Sequence, residues 1–243
     1  MRRSLTLGLA VLGAALLVAH PAMAQQFSMD FGQTSSTTRI VQLIALATVL
    51  SLAPAIVMMV TSFTRIVVVL SFLRQALGTQ QTPPNMVMVS LAMFLTAFVM
   101  APTFEQSWND GIQPYMDGHL DEFEAFDKSI KPFHAFMMKQ VRPQDLRLLM
   151  DMSKSPDVEK AEDVPLKALV PAFMISELRR AFEMGFLIFL PFIIIDMVVG
   201  SILMSMGMMM IPPAMISLPF KLIFFVLVDG WYMIVGSLVQ SFG

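Results

Sequence analysis

The chain has 243 residues, of which 56% are hydrophobic and only 14% charged, and its formal net charge is −2. An ordinary soluble domain carries about 25% charged residues, so the composition reads as that of a membrane protein, and the near-neutral balance gives no reason to expect nucleic acid as a partner. The absence of cysteine excludes disulfide and thiolate chemistry, while 24 methionines and 20 phenylalanines point to adaptable apolar packing.

Residues 1–24 read as a secretory signal. Arg2 and Arg3 form a basic start, Leu5 to Ala19 is a short apolar run, and Ala22-Met23-Ala24 fits the small-x-small cleavage rule. Cleavage after Ala24 makes Gln25 the new N-terminus. The alternative is an uncleaved first membrane helix, but the apolar run is shorter than the ~20 residues a span needs. Residues 25–39 are polar and Ser/Thr-rich, a short lead on the periplasmic side if the signal is cleaved.

Residues 40–60 are long and apolar enough to span a bilayer, with Pro54 as an interruption. Residues 61–78, "TSFTRIVVVLSFLRQALG", are apolar but carry Arg65 and Arg74. After the turn signal Thr82-Pro83-Pro84-Asn85, a second span covers 86–101, so 40–101 is predicted to form a first apolar helical hairpin.

From Pro102 to Leu169 charges are dense, with acids in excess of bases. Phe123, Phe126, Ile130, Phe133 and Met137 recur at spacings of three and four and line one helix face. Leu166, Leu169, Val170, Phe173 and Met174 do the same further on. These stripes predict a small, mostly helical domain over 102–180, with the first stripe as core or as a subunit-packing face. Glu177, Arg179, Arg180 and Glu183 can form local i,i+3 pairs that clamp the domain to the next span.

Residues 181–243 read as a second apolar hairpin. One span covers 182–206 and contains Pro191 and Asp196; the other covers 211–239 and is poorly formed, holding Pro212, Pro213, Pro219, Lys221 and Asp229. Between them lies Met204-Ser-Met-Gly-Met-Met-Met-Ile-Pro-Pro, a loop of soft thioethers. Its tip shares the spacing G-x-x-x-x-P-P with the first hairpin: Gly78 with Pro83 and Pro84, Gly207 with Pro212 and Pro213. Glycine suits a helix C-terminus and proline the first turn of the next helix. Either the two tips obey the same capping physics independently, or they are two copies of one hairpin. A cleaved signal puts the 102–180 domain outside and both tips in the cytoplasm, in keeping with Arg65 and Arg74 on the first hairpin.

Arg65, Asp196, Lys221 and Asp229 are ions in apolar sequence. A lone ion at mid-bilayer costs several kcal/mol, so such residues pair or face water. Two acids and two bases permit mutual neutralisation as buried ion pairs; the other option is a proton or ion pathway. No catalytic constellation emerges. His119 and His134 are the only histidines beyond residue 24, there is no phosphate-binding glycine loop, and Asp117, Asp121, Glu122, Glu124 and Asp127 read as a solvated helix face.

Two segments carry a specific resemblance. "TSFTRIVVVLSFLRQALGTQQTPPN" (61–85) and "LVPAFMISELRRAFEMGFLIFLPFIIIDMVVGSILMSMGMMMIPPAMISLPFKLIFFVLVDGW" (169–231) resemble the FliP family, called SctR in injectisomes. Met86 departs from the glutamine expected after Pro-Pro-Asn. The resemblance implies an all-α membrane protein of the flagellar type III export gate, in the inner membrane at the basal body. It implies a homo-pentamer with FliQ and FliR partners, FlhA and FlhB nearby, and unfolded flagellar proteins as cargo. It also implies a gasket around the closed pore formed by Met208, Met209 and Met210, and helices buried against protein rather than lipid. No enzyme activity and no cofactor follow from it. The competing class, a small-solute secondary transporter or ion channel, calls for a midplane cluster of polar groups on broken helices.

Overall fold

The structure is a computed structural model that describes residues 36–79, 81–153, 160–208, 210 and 212–243. The expected signal peptide, with its Ala24–Gln25 cleavage site, and Met209 of the expected gasket lie outside the described residues. Two compact units divide the chain after Leu50. The first holds the beginning of helix α1 (Ser36–Val60), and everything described below belongs to the second.

Every regular element among the described residues is helical. α1 runs through Pro54, because one proline removes a single donor and leaves the neighbouring bonds. The helix stops at Thr61-Ser62, where the hydroxyls of Thr61 and Thr64 compete for the backbone. Thr61 Oγ1 accepts from Phe63 N at 3.4 Å, and Thr64 Oγ1 donates to the Met58 carbonyl at 3.3 Å. α2 (Phe63–Leu77) then restarts the chain and ends at Gly78.

α3 (Asn85–Ser107) continues through a π-helical turn (Trp108–Ile112) into the short α4 (Gln113–Met116). α5 (Glu122–Gln140) starts on Asp121, whose side chain accepts from Glu124 N at 2.7 Å. Glu122 and Glu124 add negative charge where the helix dipole favours it. α6 (Pro143–Met152) follows, then a 3₁₀ turn (Ala161–Asp163). α7 (Leu166–Ser205) spans 40 residues, about 60 Å at the helical rise. α8 (Pro213–Leu227) and α9 (Gly230–Gln240) meet at an angle of 64°.

Two boundaries differ from the sequence reading. Helix α3 passes through the expected domain edge at 101/102, and α7 passes through the one at 180/181. Charge density changes at those points, but backbone bonding does not depend on it, and Pro102, Pro171 and Pro191 are each accommodated inside a helix. The polar and apolar parts are therefore joined by continuous helix rather than by linkers. Among the described residues three helices are long and apolar enough to cross a membrane, within Leu43–Val60, Asn85–Met116 and Leu166–Ser205. The bent α8–α9 pair makes a fourth candidate if counted as one broken span.

α7 is the organising element. α2 packs along it and against α3, and the crossing is tight enough that a Cβ on Gly185 would stand 2.4 Å from Phe72 Cδ2. Phe72 meets Phe182 and Phe189 edge-to-face there, with ring centroids 4.9 and 6.1 Å apart. One apolar cluster joins α2, α3 and α9 through Ile66, Leu70, Ala92, Leu95 and Leu238. A second joins α5 to the start of α7 through Met137, Leu169 and Phe173. A third joins α2, α7 and α8 through Leu73, Phe192 and Phe225. The α5 stripe is graded: Met137 is buried, Phe133 packs on Phe104, and Phe123 and Phe126 are exposed.

Candidate functional site

Four clusters of polar or special-geometry residues stand out: two ion nodes and the two glycine-proline tips, 78–84 and 207–213. The first node centres on Arg65, which α2 carries into the apolar interior one turn from its start. Burying a guanidinium alone would be very costly; here all its donor atoms find partners. Nε donates to Glu177 Oε2 at 2.9 Å, and Nη2 donates to Glu177 Oε1 and, at 3.1 Å, to Gln140 Oε1. Nη1 donates to the Ser241 carbonyl and hydroxyl, each at 2.9 Å. The ring of Phe242 lies 3.8 Å from the guanidinium carbon, a cation–π contact. Gln140 is engaged at both ends: its Oε1 also accepts from Arg180 Nη1 at 2.6 Å, and its Nε2 donates to the Phe242 carbonyl at 3.1 Å.

Beside this node, Ser176 Oγ donates to Asp145 Oδ2 at 2.7 Å and accepts from the Arg142 backbone N–H at 3.0 Å. The turn between α5 and α6 is thereby fastened to α7.

The second node lies on the apolar side. Lys221 on α8 donates from Nζ to Asp196 Oδ2 on α7 at 2.6 Å and to the Ala76 carbonyl at the end of α2 at 3.2 Å. Ser217, one turn earlier on α8, donates to Asp196 Oδ1 at 2.5 Å. Lys221 is buried, whereas the Asp196 side chain keeps 39% of its exposure.

Of the four ions singled out in the sequence, Asp196 and Lys221 thus face each other. Arg65 pairs with neither expected acid but with Glu177, which the local i,i+3 reading had assigned to its own helix. Within that group the structure forms Arg179–Glu183, an exposed i,i+4 pair at 2.9 Å, in place of the expected i,i+3 pairing. Asp229 is exposed and forms no ion pair among the described residues. Glu177, Gln140, Ser217, Ser241 and Phe242 were missed because each acts across the fold. The one available signal was that a buried arginine requires an acid, and Glu177 stands near the start of the apolar part of α7.

The tips are built by local rules. Gly78 and Gly207 sit at φ +77° and +73°, where an L side chain is strained. At the second tip the Gly207 N–H bonds to the Met204 carbonyl at 3.1 Å and the Met208 N–H to the Leu203 carbonyl at 3.0 Å. This is the paired 5→2 and 6→1 closure of a Schellman motif. At the first, the Gly78 N–H bonds to the Gln75 carbonyl at 3.0 Å, and Arg74 reaches across to Asn85 Oδ1 and the Pro83 carbonyl. Pro84 and Pro212 immediately precede α3 and α8, and Pro213 opens the latter. Pro83 follows a cis peptide bond. The apolar side chains of the second tip are not packed away: Met208 is 43% exposed and Met210 is 97% exposed.

No group of three or more His, Asp or Glu among the described residues could hold a metal ion. Residues 46–238 match the profile of the FliP family. The chain is 55% identical over 244 residues to the flagellar biosynthetic protein FliP of Caulobacter vibrioides, covering all of this chain and 92% of that protein. It is 55% identical over 215 residues to the protein of that name from Bacillus subtilis, covering 88% and 96% of the two. Against the Rhizobium meliloti protein of the same name, identity is 50% over 240 residues, with 94% and 98% covered.

Proposed function

From the premise that the chain belongs to the FliP family, we propose that it is a pore-forming core subunit of the flagellar type III protein export gate. In this reading it is a membrane component of the flagellar export apparatus that passes unfolded flagellar proteins. It assembles as a homo-pentamer with FliQ and FliR, beside FlhA and FlhB, in the inner membrane at the basal body. The signal is removed after Ala24, which the intact mass of the purified chain tests, and the 102–180 region faces the periplasm.

The observation that carries the reading is the methionine tip. A Schellman closure ends α7 and a proline pair starts α8, and between them Met208 and Met210 are exposed thioethers. A protein-export pore must admit chains of many shapes and close against small ions when idle. Flexible thioethers suit that task because they adapt without fixing one shape. In a ring of copies Met208, Met209 and Met210 converge on the axis as a gasket.

Helix length supports burial against protein. α2 and α8 have 15 residues each and α9 has 11, about 22 and 16 Å of helix, short of the ~30 Å hydrocarbon core. Helices of that length are suited to a protein assembly more than to crossing lipid singly. The alternative of a small-solute carrier needs polar groups free to take a solute. Here Arg65 and Glu177, and Lys221 and Asp196, are engaged with each other.

The test replaces Met208, Met209 and Met210 together by alanine, with Thr79, Gln80 and Gln81 altered in the other tip as control. Each buried CH₂ contributes about 0.8 kcal/mol to closure. The methionine variant is expected to assemble, to leak ions or small solutes in idle cells, and to lose less secretion than seal. A methionine variant as tight as wild type, or a leak from the control alone, overturns the gasket.

A further inference from the structure

The elbow between α8 and α9 and the Arg65 node at the far end of α9 belong together. Asp229 at the elbow adopts φ +51° and ψ +52°, the one non-glycine residue at positive φ among those described. Aspartate visits this left-handed region more readily than most side chains, though at a cost. The axes of α8 and α9 diverge there by 64°. A cavity of about 310 Å³ lies inside the elbow, lined by Pro191, Phe192, Phe225, Val228, Gly230 and Met233 among others. The joint is thus bent and strained, and across it the Phe225 ring of α8 rests against Gly230 and edge-to-face on Trp231, 5.6 Å between centroids.

α8 does not depend on α9 for its place, because Lys221 and Ser217 bind it to Asp196 of α7. α9 is held differently. Its inner face, Ile234, Val235, Leu238 and Val239, rests on the cluster shared by α2 and α3. Its polar anchorage is at Ser241-Phe242, where Arg65 Nη1 takes the Ser241 oxygens and Gln140 takes the Phe242 carbonyl. The Phe242 ring lies between the Arg65 guanidinium and Phe136, whose ring it stacks on at 6.2 Å.

We propose that α9 is a hinged arm, with Asp229 as the joint and Ser241-Phe242 as a catch that Arg65 and Gln140 close. Arg65 is aimed by Glu177 of α7, and Gln140 ends α5, so the catch forms only when α2, α5 and α7 have already met. The arm reports that the helical layer is in place and then closes over the apolar cluster shared by α2 and α3. With the catch open, the arm swings at the elbow while the α7–α8 hairpin and its methionine tip keep their geometry. The inference is independent of the gasket, since the methionine tip joins α7 to α8 and no part of α9 forms it, and it is read by a different measurement.

Hydrogen exchange of the full chain in its detergent-purified complex tests it, comparing wild type with Phe242→Ala. Amides of 230–240 are expected to exchange about ten-fold faster in the variant, with 122–140 and 213–227 unchanged, as for a separately opening unit. Ser241→Ala deletes one hydroxyl without a cavity and carries the same test if the larger truncation costs the fold. There, about a three-fold increase confined to 230–240 is expected. No change in α9, or an increase spread evenly over α5, α8 and α9, overturns the arm and makes α9 part of one cooperative core.

Discussion

Arg65 and Glu177 stand 112 residues apart in the chain and form a bidentate ion pair with both side chains wholly buried. The guanidinium fork matches the carboxylate with two N–H groups, and its remaining donors go to Gln140 and Ser241. Lysine could not reproduce this planar, five-donor geometry.

Breaking the pair from one side leaves the other charge stranded. Arg65→Met and Glu177→Leu are each expected to cost about 3–5 kcal/mol, seen as loss of folded chain or a large drop in thermal midpoint. The double replacement Arg65→Met, Glu177→Leu is expected to cost less than the sum, because it strands no charge. Full additivity in that cycle would show that the two side chains act independently.

The Lys221–Asp196 pair is expected to be asymmetric. Asp196 retains water contact, whereas Lys221 is buried. Lys221→Met keeps the packing and leaves a carboxylate that water can solvate, costing about 1 kcal/mol. Asp196→Ala strands a buried ammonium on the Ala76 carbonyl and is expected to cost about 2 kcal/mol or more. Thermal unfolding of the two purified variants decides it; equal midpoints would mean that Lys221 reaches water.

Close helix crossings make a third case. A Cβ on Gly111 would lie 2.8 Å from the Ala125 carbonyl oxygen and 2.8 Å from Ser129 N, which are backbone atoms that cannot step aside. At Gly185 the obstacle is a side chain, the Phe72 ring, which must shift as a whole because its Cγ, 2.7 Å away, lies on the ring axis. Gly111→Ala is therefore expected to destabilise more than Gly185→Ala, by about 1–3 kcal/mol for the former. Gly236→Ala, with nothing within 4 Å of its Cβ, is expected to be neutral or to stabilise by up to about 1 kcal/mol through helix propensity. The order of the three thermal midpoints tests this.

Phe126 is 68% exposed and Phe123 lies one turn before it, while the same stripe farther along α5 is core. Phe126→Asp is expected to leave the helical content of the chain intact and to weaken oligomer formation, as measured by the mass of the detergent-solubilised complex. Oligomers of normal mass from this variant would show that the exposed end of the stripe is no subunit contact.

What the sequence by itself determined is what a few consecutive residues can encode. Gly78 and Gly207 end helices because only a residue free at positive φ closes the last turn, and the bonds involved reach back five residues at most. Asp121 caps α5 through an N–H three residues on. The apolar length of the helices and the two family-like segments are likewise contiguous in the chain. The pairing of the ions was not legible in this way. Arg65 could meet Glu177, Asp196 or Asp229 by arithmetic alone. The choice is made by where α2 crosses α7, and that crossing depends on Gly185 admitting the Phe72 ring. The same crossing places the Ala76 carbonyl against Lys221, while Asp229 is in no ion pair among the described residues. Nor could composition show that α3 and α7 run unbroken through the expected domain edges, since a change in charge does not interrupt a hydrogen-bond ladder. Caps and periodicity act within a turn or two of helix, whereas charge partners are selected by side-chain packing between helices remote in sequence, and only the tertiary structure decides that.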